Sequence, residues 1–119
     1  MAPTHPGNAL YIVWRTRGVV ELATARARKL LRRGQALQLY RLRSWVAVNG
    51  EIRALVAPAA PLREIAEAAR KEHCDTVSAH WVVTERACMN LVRDIEMAPV
   101  HMGLASRPEE WPFSSAANE

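Results

Sequence analysis

The chain has 119 residues, 50% of them apolar and 24% charged, enough for one packed domain without disulfide or metal staples. Cys74 and Cys88 stand in no paired ligand spacing, which excludes a disulfide scaffold and fits a reducing cytoplasm, the expected location. Net charge is +4 and no apolar run approaches the roughly 20 residues of a spanning helix, so a basic, non-membrane protein is expected.

The opening MAPTHPGNA has neither a basic start nor an apolar core, so residues 1–9 read as a flexible arm and not as a secretory leader. Residues 10–119 then form a single domain. Leu10 to Thr16 alternates, with Leu10, Ile12 and Trp14 on one face and Tyr11, Val13 and Arg15 on the other, which predicts a strand. Val19, Val20, Ala23, Ala27, Leu30 and Leu31 recur at helical spacing, with Arg28, Lys29, Arg32 and Arg33 on the opposite side. Arg26 falls at the edge of that stripe and Leu22 intrudes on the basic side. Gly34 is expected to cap this helix.

Leu37 to Pro58 reads as a hairpin around Asn49-Gly50, because both turn positions tolerate positive φ. A two-residue loop sets Val48 opposite Glu51, Ala47 opposite Ile52, Val46 opposite Arg53 and Trp45 opposite Ala54. Trp45, Ala47, Ile52, Ala54 and Val56 then share the core face, and Glu51, Arg53 and Leu55 share the other, where helices need not cover them. Leu62, Ile65, Ala66 and Ala69 predict a second amphipathic helix ending near His73, and Ser78 to Thr84 a short strand. Thr84 is expected to cap a third helix with Cys88, Leu91, Val92 and Ile95 as its stripe, Asp94 on its flank and Pro99 at its end. The order β-α-β-β-α-β-α predicts an α+β, ferredoxin-like antiparallel sheet with helices packed on one face.

Charge is segregated along this order. Residues 1–43 hold nine bases (Arg15, Arg17, Arg26, Arg28, Lys29, Arg32, Arg33, Arg41 and Arg43) against Glu21, a charge of +8, whereas residues 44–119 sum to −4. A segregated basic half is the footprint of a polyanion partner, and equally of a solvated arginine-rich helix. A membrane surface fits less well, because the basic helix lacks large exposed aromatics. His73, Cys74, His80 and Cys88 match no standard zinc spacing, and His101 reads as a surface histidine.

Three segments resemble the REP-associated tyrosine transposases, a branch of the HUH single-strand DNA transposases. Tyr11-Ile12-Val13-Trp14-Arg15-Thr16 resembles the family's first strand, and Trp45 through Val56, with Pro58 and Leu62, its central hairpin. Ile95, Pro99-Val100, Gly103-Leu104 and the run Pro108-Glu109-Glu110-Trp111-Pro112-Phe113-Ser114-Ser115 resemble its closing helix and tail. Between Lys71 and Trp81 the chain is shorter than the family pattern.

The resemblance implies a His-hydrophobic-His pair on one strand face holding magnesium or manganese, and a helix-borne tyrosine that attacks a DNA phosphate. Here the first motif reads Glu51-Ile52-Arg53 and the tyrosine position reads Asp94. Guanidinium has no lone pair for a metal, and a carboxylate cannot form the phosphotyrosine link. The expectation is therefore no metal, no cofactor and no catalytic group, but a nucleic-acid partner, single-stranded or hairpin DNA. Arg15, Arg17, Arg28, Lys29, Arg32, Arg33, Arg41, Arg43 and Arg53 are the expected phosphate contacts, with Arg53 standing where a metal stood. Trp14 or Trp111 could add base stacking, although both also suit a core. Two alternatives stand beside this one. A protein-interaction module or decayed transposase would present Glu51, Arg53 and Leu55 to a partner, a second copy included. A working nuclease would need Tyr11 or Tyr40 as its nucleophile.

Overall fold

The computed structural model describes residues 9–16, 20–71 and 74–117. Strand β1 spans Ala9–Thr16, helix α1 Val20–Ala36, β2 Tyr40–Val48, β3 Glu51–Pro58, helix α2 Leu62–Lys71, β4 Cys74–Val82 and helix α3 Glu85–His101, before a 3-10 turn at Pro108–Glu110. The strands form one antiparallel sheet in the order β2-β3-β1-β4, the ferredoxin-like arrangement. Residues 1–8 of the expected arm lie outside the described residues, as do Arg17, Val19, His73 and the side chains of Val20, Leu22, Ala23, Arg26 and Cys74. Ala9 already pairs with Val82 as the first residue of β1.

The hairpin register is the expected one throughout: Val48 faces Glu51, Ala47 faces Ile52, Val46 faces Arg53 and Trp45 faces Ala54. Asn49 and Gly50 both take positive φ, 49° and 76°, as a primed turn requires. A bulge between Leu42 and Ser44 restores the inward direction of Trp45 and leaves Arg43 pointing outward.

Leu10, Ile12, Trp14, Trp45, Ala47, Ile52, Ala54 and Val56 form one buried face with Ala27, Leu30 and Leu31 of α1 and Ile65 and Ala69 of α2. These two helices lie on one side of the sheet, as expected. The third does not: α3 packs Cys88, Ile95 and Ala98 on the opposite face, over Ala9, Val46, Val48, Leu55 and Val82. Apolar side chains on both faces of β2 and β3 make a one-sided sheet untenable, since Val46, Val48 and Leu55 need cover as much as Trp45 and Ile52 do. Leu55 is thus fully buried and cannot belong to a partner surface with Glu51 and Arg53.

Three helix and strand ends differ from expectation. Gly34 is no cap. It lies within α1, buried under the Tyr40 ring, and the chain turns instead at Gln38, whose φ is 58°. Pro99 lies inside α3 without ending it; the helix closes with Gly103 (φ 74°), whose N–H donates to Val100 O at 3.0 Å while Leu104 N–H donates to Pro99 O at 2.8 Å. Strand β4 starts at Cys74, four residues before Ser78, because pairing with β1 carries its polar first half. At the front of α3, Thr84 Oγ1 accepts the Ala87 N–H at 3.1 Å, as expected of an N-cap.

The tail closes the exposed edge of β2. Ala47 N–H donates to Phe113 O at 2.8 Å and Ser115 N–H to Trp45 O at 2.9 Å, around a Val46–Ser114 bridge. Trp111 donates its indole N–H to Ala47 O at 3.0 Å, and buried Ser115 accepts the Trp45 N–H at 3.0 Å. An unpaired strand edge invites association with other chains, and this segment satisfies it from within.

Candidate nucleic-acid interface

The alternation of β1, β3 and β4 brings Tyr11, Val13 and Arg15, Glu51 and Arg53, and Ser78 and His80 to the sheet face that α3 leaves partly open. Arg15 stands across from Glu51 and Val13 across from Arg53. Glu51 takes both arginines at once: Arg15 Nε lies 3.1 Å from Oε1, and Arg53 Nη2 and Nε lie 3.0 and 3.3 Å from Oε2. Burial of the Glu51 carboxylate opposes ionisation, but the hydrogen bonds from Arg53 and Arg15 and their charges outweigh it and hold its pKa below the ordinary value.

Tyr11 borders this cluster, half-buried, with its ring 5.2 Å from the exposed His80 ring at an interplanar angle of 60°. Burial pushes the Tyr11 hydroxyl above its usual pKa; Arg53 opposes the shift, whereas Glu51 and Asp94 add to it. Asp94 is exposed on α3. Glu51, Arg53 and Asp94 thus all act electrostatically on one phenol, as two carboxylates and a guanidinium.

These residues do not fit a divalent cation. Arg53 has no lone pair to offer, and the Glu51 oxygens are already engaged by two guanidiniums. Among the described residues no three His, Cys, Asp or Glu side chains converge on a common point. Cys88 lies buried on the inner face of α3 while His80 stands exposed on β4. Tyr40 is 4% exposed and donates its hydroxyl to Leu31 O at 3.3 Å, so it cannot serve as a nucleophile at the surface. Tyr11 reaches the open face, but its raised pKa makes it a poorer source of phenolate than a free tyrosine.

The remaining basic residues divide by location. Lys29, Arg32 and Arg33 are exposed on α1 and line a surface depression with Arg28 and Ala36. Arg28 is half-buried and reaches the tail, where its Nη2 donates to Pro112 O at 2.8 Å. Arg43 pairs with Glu85 at the start of α3, and Arg41 is exposed on β2. Because α1 covers the opposite side of the sheet from Arg15 and Arg53, the expected contacts among the described residues form two separate basic surfaces.

Neither expected stacking tryptophan is available. Trp14 is fully buried, and Trp111 is half-buried against Phe113 with its N–H engaged. The exposed one is Trp81, 58% accessible, beside Leu10 and the Pro58–Leu62 connection. Its sequence signal was its place in an edge strand, where the residue opposite Leu10 lies at the rim of the helical cover.

No family model matches the chain, and no curated protein matches it in sequence. A solved structure of the REP-associated tyrosine transposase bound to a REP hairpin is similar in fold, with a TM-score of 0.75 and 16% identity. The match covers 94% of this chain and 78% of that one. At this identity the likeness establishes a shared fold.

Proposed function

We propose that this chain is a transposase-like protein that binds nucleic acid, single-stranded or hairpin DNA, without cutting it. The observation that carries the reading is the Arg15–Glu51–Arg53 cluster. On a fold shared with a protein solved bound to a DNA hairpin, a salt-bridged carboxylate and two guanidiniums stand on the sheet face, with Asp94 nearby on α3. Such a set attracts phosphate but supplies neither a Lewis acid nor an attacking hydroxyl. The α1 surface of Lys29, Arg32 and Arg33 adds a second cationic region suited to a polyanion.

The test is a salt titration of binding to hairpin, linear single-stranded and duplex DNA. Counterion release predicts that log affinity falls linearly with log salt, by about 0.7 per phosphate neutralised on a single strand and about 0.9 on duplex. Charge reversal at Lys29 and Arg32 should weaken binding and flatten that slope. Failure to bind any oligonucleotide at low salt would end the reading. In that case the interaction-module alternative gains, and its partner surface would lie on Arg15, Glu51, Arg53 and His80, without Leu55.

A further inference from the structure

We infer that Arg15 and Arg53 form a phosphodiester site on the open sheet face and that Glu51 is its internal competitor. This rests on the nucleic-acid reading and specifies how one of its two basic surfaces is controlled. A carboxylate and a phosphodiester each offer a singly charged pair of oxygens to guanidinium groups, so one can stand in for the other. Glu51 does so here, with one oxygen on Arg15 Nε at 3.1 Å and the other on Arg53 Nη2 at 3.0 Å.

The three side chains carry a net single positive charge, and the arginines remain within reach of solvent, with 68% of the Arg15 side chain and 29% of that of Arg53 exposed. Glu51 is the first residue after the Asn49-Gly50 turn, at the end of its strand, so its side chain can turn away from the sheet without disturbing the core. A strand of nucleic acid entering there must displace the carboxylate and then sit beside its uncompensated charge. Ser78 and His80 on the neighbouring strand, both exposed, stand on the same face to accept the rest of the nucleotide.

The experiment compares the 119-residue chain as wild type, E51Q, E51Q/R53Q and E67Q for binding to a hairpin DNA with a single-stranded flank, across a salt series. E67Q, on the exposed side of α2, changes net charge equally at a distance and controls for nonspecific attraction. The expected result is that E51Q binds on the order of tenfold more tightly at low salt, with a slope steeper by about 0.7 per phosphate gained. E51Q/R53Q should lose that gain, and E67Q should match wild type. If E51Q binds no better than E67Q while wild type binds, the nucleic-acid reading stands and the competitor role is overturned. If E51Q binds and wild type does not, the competitor role is supported in its strongest form. If no variant binds, both fall. Thermal melts of each variant establish that the folded chain is being compared.

Discussion

Gly34→Ala tests how α1 is seated on the sheet, because two opposing effects of known size meet at one atom. In an exposed helix interior, alanine is favoured over glycine by about 1 kcal/mol. At this position a Cβ would meet Tyr40 Oη at 2.1 Å, Cζ at 2.2 Å and Cε2 at 2.6 Å, far inside van der Waals contact. The ring cannot swing aside freely. It is 4% exposed, hydrogen-bonded to Leu31 O at 3.3 Å, and lies 6.2 Å from the Trp14 ring. Overpacking of this kind costs about 1–3 kcal/mol, and stranding the buried hydroxyl adds about 1–3 kcal/mol more.

The balance is a destabilisation of about 1–5 kcal/mol after the propensity gain, or a fall of about 4 °C in Tm for each kcal/mol. Urea melts followed by far-UV circular dichroism read it directly. Tyr40→Leu removes the clashing ring, so in the double variant the cost of alanine should largely vanish, giving a coupling of about 1 kcal/mol or more. A Gly34→Ala variant as stable as wild type, or more stable, would refute the packing of α1 on Tyr40 described above.

Two further predictions concern the tail and the sheet face. Ser115→Ala leaves the buried Trp45 N–H without its 3.0 Å side-chain acceptor and should cost about 1–3 kcal/mol in urea melts; an unchanged midpoint would mean that the tail is not docked on β2. Glu51 has a lowered folded pKa, so its contribution is fully present above the unfolded carboxylate value of about 4.3 and is lost as pH falls through the folded value. Glu85, held low by its hydrogen bond from Arg43, follows the same sign. Tm measured from pH 7 down to pH 2.5 should therefore fall on the acid side, and E51Q should show a smaller acid loss than wild type; equal losses would contradict the ion-pair geometry.

How much of this was legible in the sequence depended on how local the determinant was. The hairpin register followed from Asn49-Gly50, because a two-residue primed turn permits one pairing. The alternation in β1 and the Thr84 cap were equally local. Gly34 reads as a terminator in the sequence because a helix end and a glycine admitted by a nearby ring look alike until Tyr40 is placed against it. The cover over the second face was signalled by Val46, Val48 and Leu55, apolar residues on the side assigned to solvent. At the site, Glu51 with Arg53 followed from strand parity, but Arg15 entered only once β1 was paired with β3. The Pro108–Ser115 run is one of the three segments that carry the resemblance, yet its side chains serve the edge of β2, which shows how a recognisable motif can report on architecture without reporting on chemistry.

The claim of grip without scission is tested most directly by one incubation read twice. The chain is mixed at low salt with end-labelled REP-like hairpin DNA bearing single-stranded flanks, with magnesium or manganese, and run on native and on denaturing gels. The account predicts a shifted complex on the native gel and an intact strand, free of protein, on the denaturing one. A shortened strand or a strand covalently joined to protein contradicts the loss of catalysis, and an unshifted strand contradicts the binding.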